Sequence, residues 1–170
     1  AIECYERALK LDPDYALAWA GLSRACVDQA GQNWAPRDEG YARARDAADR
    51  AVALGPNLSE THTAMGWVRR SCDWDWKGAD AAFRKALELA PGSTLAMNGA
   101  AVLVGNLGRF DEAIGLYRRA VELDPLNVSL HRNLGLYCLA GGAFDEAETA
   151  LHKTLQLSPK GGLTYCWLAM

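Results

Sequence analysis

The stretch GRFDEAIGLYRRAVELDP, residues 108–125, decides the fold. Alanines recur at Ala113 and Ala120, the bulky Tyr117 stands between them, and Pro125 follows the last apolar residue. Apolar residues at this three-to-four spacing predict a helix with one buried face, and a proline just beyond the run ends it. Because the alanines are small, that face can approach a second helix closely.

The same pattern recurs along the whole chain. Five of the six prolines follow such a run, at spacings of 43, 35, 34 and 34 residues: Pro13, Pro56, Pro91, Pro125 and Pro159. Counting back from each proline gives three columns of equivalent positions: Ala1, Ala44, Ala79, Ala113 and Ala147; Tyr5, Ala48, Phe83, Tyr117 and Leu151; Ala8, Ala51, Ala86, Ala120 and Thr154. The chain therefore contains a repeated helix, called helix B here.

A second set of columns lies upstream of each helix B. Its members are Trp19, His62, Met97, His131 and Tyr165; Leu22, Met65, Ala100, Leu134 and Leu168; Ser23, Gly66, Ala101, Gly135 and Ala169. The spacing of three residues and then one is typical of one helix face. Each unit is therefore predicted to be a helix A followed by a short turn and helix B.

These residues resemble the tetratricopeptide repeat, a helix–turn–helix unit of 34 residues with the pattern W-x2-L-G-x2-Y, then A-x3-F, then P. The first half is matched, with Ser for Gly and Cys for Tyr, by Trp19, Leu22, Ser23 and Cys26, and the second half by Ala113, Tyr117, Ala120 and Pro125. The resemblance implies an all-α fold, an α-solenoid of antiparallel helix pairs (the tetratricopeptide superhelix) that starts and ends in mid-repeat.

The proline spacings predict a single array over residues 1–170. Its expected parts are helix B of a partial repeat (1–13), a repeat with a long loop between its helices (14–56), three further repeats (57–91, 92–125 and 126–159) and the start of a further helix A (160–170). End helices without a partner expose apolar faces. Copies of the chain are therefore expected to form a homo-oligomer through Tyr5, Leu9, Tyr165, Trp167 and Leu168.

Composition narrows the classes of partner. The net charge is −3 and no basic cluster occurs, which argues against nucleic-acid binding. No window approaches 18 uninterrupted apolar residues, so membrane insertion is not expected. The five cysteines are odd in number and form no C-x-x-C motif, which favours free thiols in a reducing cytoplasm and neither a disulfide framework nor a metal site. No cofactor is implied.

Motifs for catalysis are missing from the sequence. It contains neither the G-x-x-x-x-G-K-[ST] phosphate loop nor the G-x-S-x-G elbow of a nucleophilic serine. His62 and His131 fall in a helix A column, so they are interpreted as packing residues. No catalytic residue is proposed, and an enzyme is the least favoured of three functional interpretations.

The resemblance implies a concave groove lined by the A helices. The predicted groove residues are Arg24, Trp67, Arg70, Asn98, Val102, Arg132, Asn133 and Leu136. An apolar floor carrying arginine and asparagine suits a peptide with apolar anchors and one or two acids. The carboxylate clamp of chaperone-binding members is not expected, because its positions hold Ala20, Arg24, Ala64, Leu95 and Gly99.

Two tryptophans interrupt the repeat in the stretch CDWDWKG, residues 72–78. Trp76 is in register with Phe110 and Phe144, so it is interpreted as structural. Trp74 is in register with Gly108 and Gly142, and one additional residue in this unit is expected to let the chain turn without that glycine. The Trp74 ring is then either a lid over the turn, against Trp34 or Tyr41, or a ligand contact.

The favoured function is a non-catalytic scaffold that binds a protein or peptide partner in the concave groove, with Trp34 and Trp74 as accessory contacts. The alternative is a regulatory or self-association segment of a larger bacterial signalling protein, such as a cyclase, kinase or transcription regulator. That alternative rests on phrases such as AGLSRACVDQAG, residues 20–31, which resemble repeat regions of such proteins.

Overall fold

The computed structural model describes residues 1–34 and 36–159, together with Thr164 and Trp167. Within these residues it contains nine α-helices and no strand. The helices are α1 (Ile2–Leu11), α2 (Ala16–Gly31), α3 (Arg37–Leu54), α4 (Ser59–Ser71), α5 (Trp76–Leu89), α6 (Thr94–Asn106), α7 (Phe110–Leu123), α8 (Val128–Gly141) and α9 (Phe144–Leu157). The all-α solenoid class is confirmed. The predicted start of a further helix, 160–170, lies outside the described residues except for Thr164 and Trp167, and the repeat boundaries stay predictions.

The chain divides into two compact units, Ala1–Gly99 and Ala100–Met170. In the first unit, α2 packs against α1, α3 and α4, and α4 packs against α5. In the second unit, α8 packs against α7 and α9. The first alanine column lies at these helix contacts, because Ala44, Ala79, Ala113 and Ala147 are all fully buried.

The large residue of helix B packs onto small residues of the A helices. A Cβ added at Gly21 would overlap the ring of Tyr5, and one added at Gly66 or Gly99 would overlap Phe83. Ser23 replaces glycine in this column without an unsatisfied hydroxyl, because its Oγ donates to the buried carbonyl of Ala44 at 2.8 Å. The departure from the family pattern at Ser23 is thus compensated by one hydrogen bond.

The column of Trp19, His62 and His131 ties each helix A to the turn before it. Trp19 Nε1 donates to the carbonyl of Pro13 at 2.7 Å. The ring Nε2 atoms of the two histidines lie 2.7 Å from the Pro56 carbonyl and 2.9 Å from the Pro125 carbonyl. A carbonyl oxygen only accepts, so each Nε2 carries the proton. These two histidines therefore link the start of their helix A to the turn before it.

The first complete repeat accommodates its additional residues mainly in helices. α2 has 16 residues and α3 has 18, compared with 13 in α4 and 14 in α5. Helix α3 begins at Arg37, and α2 continues to Gly31. The prediction of a long loop in this repeat is therefore wrong, since only residues 32–36 lie between the two helices.

Candidate functional site

A pocket of about 960 Å³ opens on the first unit. Helices α1, α2 and α4 line it, together with Leu95 at the start of α6. The small residues Ala20, Gly21 and Ala64 are part of the pocket wall. Its volume falls in the range of about 300–1,000 Å³ that ligand pockets occupy.

The Trp67 indole lies under two guanidinium groups. The Cζ atom of Arg24, on α2, is 3.8 Å from the ring centroid, and the Cζ atom of Arg70, on α4, is 4.8 Å from it. Phe83 of α5 packs edge-on at 5.8 Å between centroids. The structure therefore brings together three of the predicted groove residues: Arg24, Trp67 and Arg70.

Trp67 is more enclosed than the sequence suggested. The ring is 5% exposed, because the neighbouring side chains already cover it. An apolar ligand side chain therefore cannot lie flat on this indole, as a groove-facing tryptophan would allow. Trp67 contributes to the first unit's core as well as to the wall of the pocket.

Two buried donors in the pocket wall lack an acceptor. Trp67 Nε1 and Arg24 Nη1 are both inaccessible to solvent, and neither has a hydrogen-bond partner among the described residues. Arg24 Nε donates to both carboxylate oxygens of Asp28 at 3.0 Å, so only part of the guanidinium is satisfied. Leaving a buried donor unpaired costs about 1–3 kcal/mol, and a ligand oxygen would recover that cost only if the side chains that cover these two atoms moved aside.

The rim of the pocket carries carboxylates and exposed apolar side chains. Three carboxylates line it, those of Glu3, Asp28 and Glu60. Exposed apolar side chains also line it, with Trp34 73% exposed and Leu95 47% exposed. The arrangement therefore combines buried donors in the wall with acidic and apolar groups around them.

Arg70 contacts Trp67 but does not line the pocket, and the remaining predicted groove residues also lie outside it. Asn98 is a half-buried residue of α6 in the first unit. In the second unit, Val102 and Leu136 are half-buried, Arg132 is exposed, and Asn133 Nδ2 donates to Tyr117 Oη at 3.3 Å. Their assignment to a groove stays a prediction.

The pocket includes residues that the sequence reasoning did not place in a site. Ile2 and Tyr5 of α1 line it, as do Gln29 and Gln32 at the end of α2. The sequence predicts an exposed apolar face on α1, yet Tyr5 and Leu9 are partly buried against the core around α2 and α3. The signal was present in the column that puts Tyr5 in register with Phe83, since that position packs against a helix A.

The turn at residues 72–76 differs from expectation. Trp74 has φ +56°, beside +78° at Gly108 and +80° at Gly142. The register is thus confirmed, and the chain does turn here without a glycine, but Trp74 itself adopts the left-handed conformation that glycine has in the other units. Trp74 packs edge-on against Trp76, with centroids 5.9 Å apart, and not against Trp34 or Tyr41.

Thiol chemistry has little support in the described residues. Cys4, Cys26, Cys72 and Cys138 are free thiols. Burial raises the pKa of Cys26, and it raises the pKa of Cys72 and Cys138 to about 11, so these thiols stay protonated and weakly nucleophilic at neutral pH.

The described ranges contain no His, Cys, Asp or Glu cluster suited to a metal ion. None of their helices combines the length and the hydropathy needed to cross a bilayer.

Solved structures share this fold. The chain is similar to TTC0263, a thermophilic tetratricopeptide protein of Thermus thermophilus, with a TM-score of 0.77 and 20% identity over 99% of this chain and 87% of that one. It is also similar to YrrB, described as a tetratricopeptide protein with an unusual peptide-binding site. There the TM-score is 0.67 and the identity 23%, over 99% of this chain and 82% of that one.

Curated relatives are much longer. The Protein CTR9 homolog of Arabidopsis thaliana is 35% identical over 79 residues, which is 46% of this chain and 7% of the relative. This chain spans less than a quarter of the length of the curated relatives it matches.

The sequence pattern of the family described as "Tetratricopeptide repeat" matches residues 1–59 and 100–161. Proteins with these repeats are generally non-catalytic scaffolds for protein–protein interaction. The chain belongs to the tetratricopeptide repeat family.

Proposed function

We propose that this chain is a non-catalytic scaffold that binds an extended or helical segment of another protein in the pocket of the first unit. One observation carries the proposal: Trp67 Nε1 and Arg24 Nη1 are buried in the pocket wall without an acceptor among the described residues. A ligand that brings an oxygen would satisfy these donors once the side chains that cover them shift.

The ligand oxygen is best supplied by a carboxylate. Arg24 places a guanidinium group over the Trp67 indole in the pocket wall, and Asp28 pairs with Arg24 through Nε. Charge-assisted hydrogen bonds to a carboxylate are stronger than those to a neutral carbonyl. An aspartate or glutamate side chain near Trp67 therefore fits this part of the pocket best.

The rim limits how acidic the segment can be. The carboxylates of Glu3, Asp28 and Glu60 would repel a run of acids. Exposed apolar side chains at Leu17, Leu95 and Trp34 offer anchoring surface instead. The preferred segment therefore has one acid flanked by apolar or basic residues. YrrB, a structural neighbour described as having a peptide-binding site, supports a peptide as the class of ligand.

Selection from a random peptide library, followed by fluorescence anisotropy with the selected peptides, tests this function. Enrichment of peptides with a single acid among apolar residues is expected. Arg24→Gln should weaken their binding at least tenfold, which corresponds to about 1.4 kcal/mol. Trp67→Phe keeps an aromatic ring, although a smaller one, but removes the Nε1 donor, and should also weaken binding.

The matched control is Arg84→Gln, which removes an exposed arginine of α5 that pairs with Asp80. It should leave the affinity unchanged. Failure to select any peptide, or equal affinity for the parent, Arg24→Gln and Trp67→Phe, would reject the pocket as the binding site. The extension of the site to Asn98, Val102, Arg132, Asn133 and Leu136 remains a proposal, as does a role in a larger bacterial signalling protein in the cytoplasm.

A further inference from the structure

The turn between α4 and α5 is held in one shape by several hydrogen bonds. The backbone N–H of Asp75 donates to the Arg69 carbonyl at 2.9 Å, and that of Trp76 donates to the Trp74 carbonyl at 3.2 Å. The Asp75 carboxylate accepts from the N–H of Gly78 at 2.9 Å and caps α5. The turn therefore presents its side chains from a fixed backbone.

Arg45 of α3 braces the same turn from the side. Its Nε donates to the Asp73 carboxylate at 2.6 Å, and its Nη2 donates to the Cys72 carbonyl at 2.9 Å. Little entropy is left to lose when a partner contacts this segment, which favours binding.

Within this fixed turn, Trp74 is unfavourable for the isolated fold. It adopts the left-handed φ of +56° that glycine adopts at Gly108 and Gly142. A non-glycine residue in that region costs about 1–2 kcal/mol. Burial does not recover this cost, because the ring is 71% exposed. Strained residues of this kind concentrate at functional sites.

The exposed Trp74 indole and the half-buried Trp76 indole form an aromatic surface with a negative charge beside it. Trp74 and Trp76 pack at an interplanar angle of 73°, so a face of Trp74 stays open to solvent. Asp73 and Asp75 flank Trp74 in the sequence. Arg45 offsets the charge of Asp73, whereas the bond from Gly78 to Asp75 involves a neutral N–H and leaves that negative charge in place. Lys77 follows the pair and is exposed.

We infer that the Trp74–Trp76 pair and Asp75 form a docking surface for an arginine-bearing segment of a partner protein. A guanidinium is planar and stacks on an indole face while it donates to a carboxylate. This surface is separate from the pocket wall formed by Arg24 and Trp67, so the inference does not depend on the proposed peptide site.

The test uses two capped Gly–Ser decapeptides, one with three arginines and one with three citrullines, which have nearly the same shape but no charge. Nitrogen-15 NMR of the parent chain should show the Trp74 indole N–H resonance shifting with the arginine peptide and not with the citrulline peptide. Trp74→Gly should weaken binding of the arginine peptide by roughly three- to fivefold or more, as expected for an exposed cation–π contact.

The stability of each variant distinguishes a direct loss of binding from a loss caused by unfolding. Trp74→Gly removes a strained residue, so it should bind less while unfolding no more easily than the parent. Asp75→Asn keeps a good helix cap and removes the charge, and should also weaken binding. Phe144→Ala removes an exposed aromatic ring that lies in neither proposed site, and it should leave the arginine peptide's affinity unchanged. Equal affinity for the parent and Trp74→Gly, or equal binding of both peptides, would overturn the inference.

Discussion

Trp67 and Trp74 stand seven residues apart and experience opposite surroundings. Trp67 is 5% exposed and is covered by two guanidinium groups and a phenylalanine edge. Trp74 is 71% exposed and sits on a left-handed backbone. The fold therefore depends on the first ring and is strained at the second. Tryptophan content alone says little about which ring stabilises the protein, since position in the repeat decides it.

The largest expected effect comes from Trp67→Ala. Truncating a buried aromatic residue typically costs about 3–5 kcal/mol, and this ring also supports Phe83 and the aliphatic parts of Arg24 and Arg70. Urea denaturation, monitored by circular dichroism, should show that the first unit unfolds at a much lower urea concentration than in the parent. Trp34→Ala, at a 73% exposed position, is the control and should change little. A parent-like midpoint for Trp67→Ala would restore the sequence-based view that the ring merely faces a groove.

Gly142→Ala tests the energetic cost of the left-handed backbone conformation, which Gly142 shares with Trp74. A Cβ at Gly142 would meet no described atom within 4 Å, so φ +80° alone makes alanine unfavourable there, by about 1–2 kcal/mol. Gly115, in the middle of α7, has equally open surroundings but a helical backbone. Gly115→Ala should therefore stabilise by about 0.5–1 kcal/mol. If the melting temperatures of Gly142→Ala and Gly115→Ala both rose or both fell relative to the parent, Gly142 would not hold the left-handed conformation in the folded protein.

Trp74→Gly should give a smaller change of the opposite sign to Trp67→Ala. Relief of the left-handed strain is worth about 1–2 kcal/mol, but loss of the edge contact with Trp76 and the greater freedom of glycine when unfolded offset much of it. A net stabilisation of up to about 1 kcal/mol is expected in chemical denaturation. Trp74→Ala keeps the Cβ and should not be stabilised. If the glycine variant is markedly less stable, the exposed ring supports the fold after all.

The smallest effect concerns an ion pair that lacks the enclosure of the Trp67 site. Arg118 donates to both Glu146 oxygens at 2.8 and 2.6 Å, and these bonds lower the pKa of Glu146 below its ordinary value. The stabilisation is therefore present above about pH 4.3, the unfolded value, and is lost as pH falls through the folded pKa. Because both side chains are partly exposed, the pair is worth at most about 1 kcal/mol.

Comparison of the parent with Arg118→Gln isolates this pair from the other carboxylates. The difference between their urea midpoints should be largest near pH 6 and should shrink as the pH falls below about 4.3. A difference that is constant over this range would mean that Arg118 stabilises by packing and not through the ionised Glu146.

The sequence predicted the helices well because the repeat rests on local physics. Proline ends helices, alanine permits close helix contact, and both recur at fixed spacing. The registers of Trp76 with Phe110 and Phe144 are confirmed, since α5, α7 and α9 begin at those residues. The register of Trp74 with two glycines also follows from counting. These features involve neighbours within one helix pair, so spacing alone carries the information.

The site required the tertiary structure. Counting placed Arg24 and Trp67 on A-helix faces, but only packing brings the Arg24 guanidinium to 3.8 Å from the indole and leaves Trp67 Nε1 buried without a described acceptor. The sequence likewise could not show that nine additional residues would lengthen α2 and α3, because helix and loop differ there by weak local preferences that neighbouring helices override. The sequence by itself determined the repeat, its helices and the column positions. Side-chain enclosure and strain were decided only in three dimensions, because they depend on which distant residues share the same space.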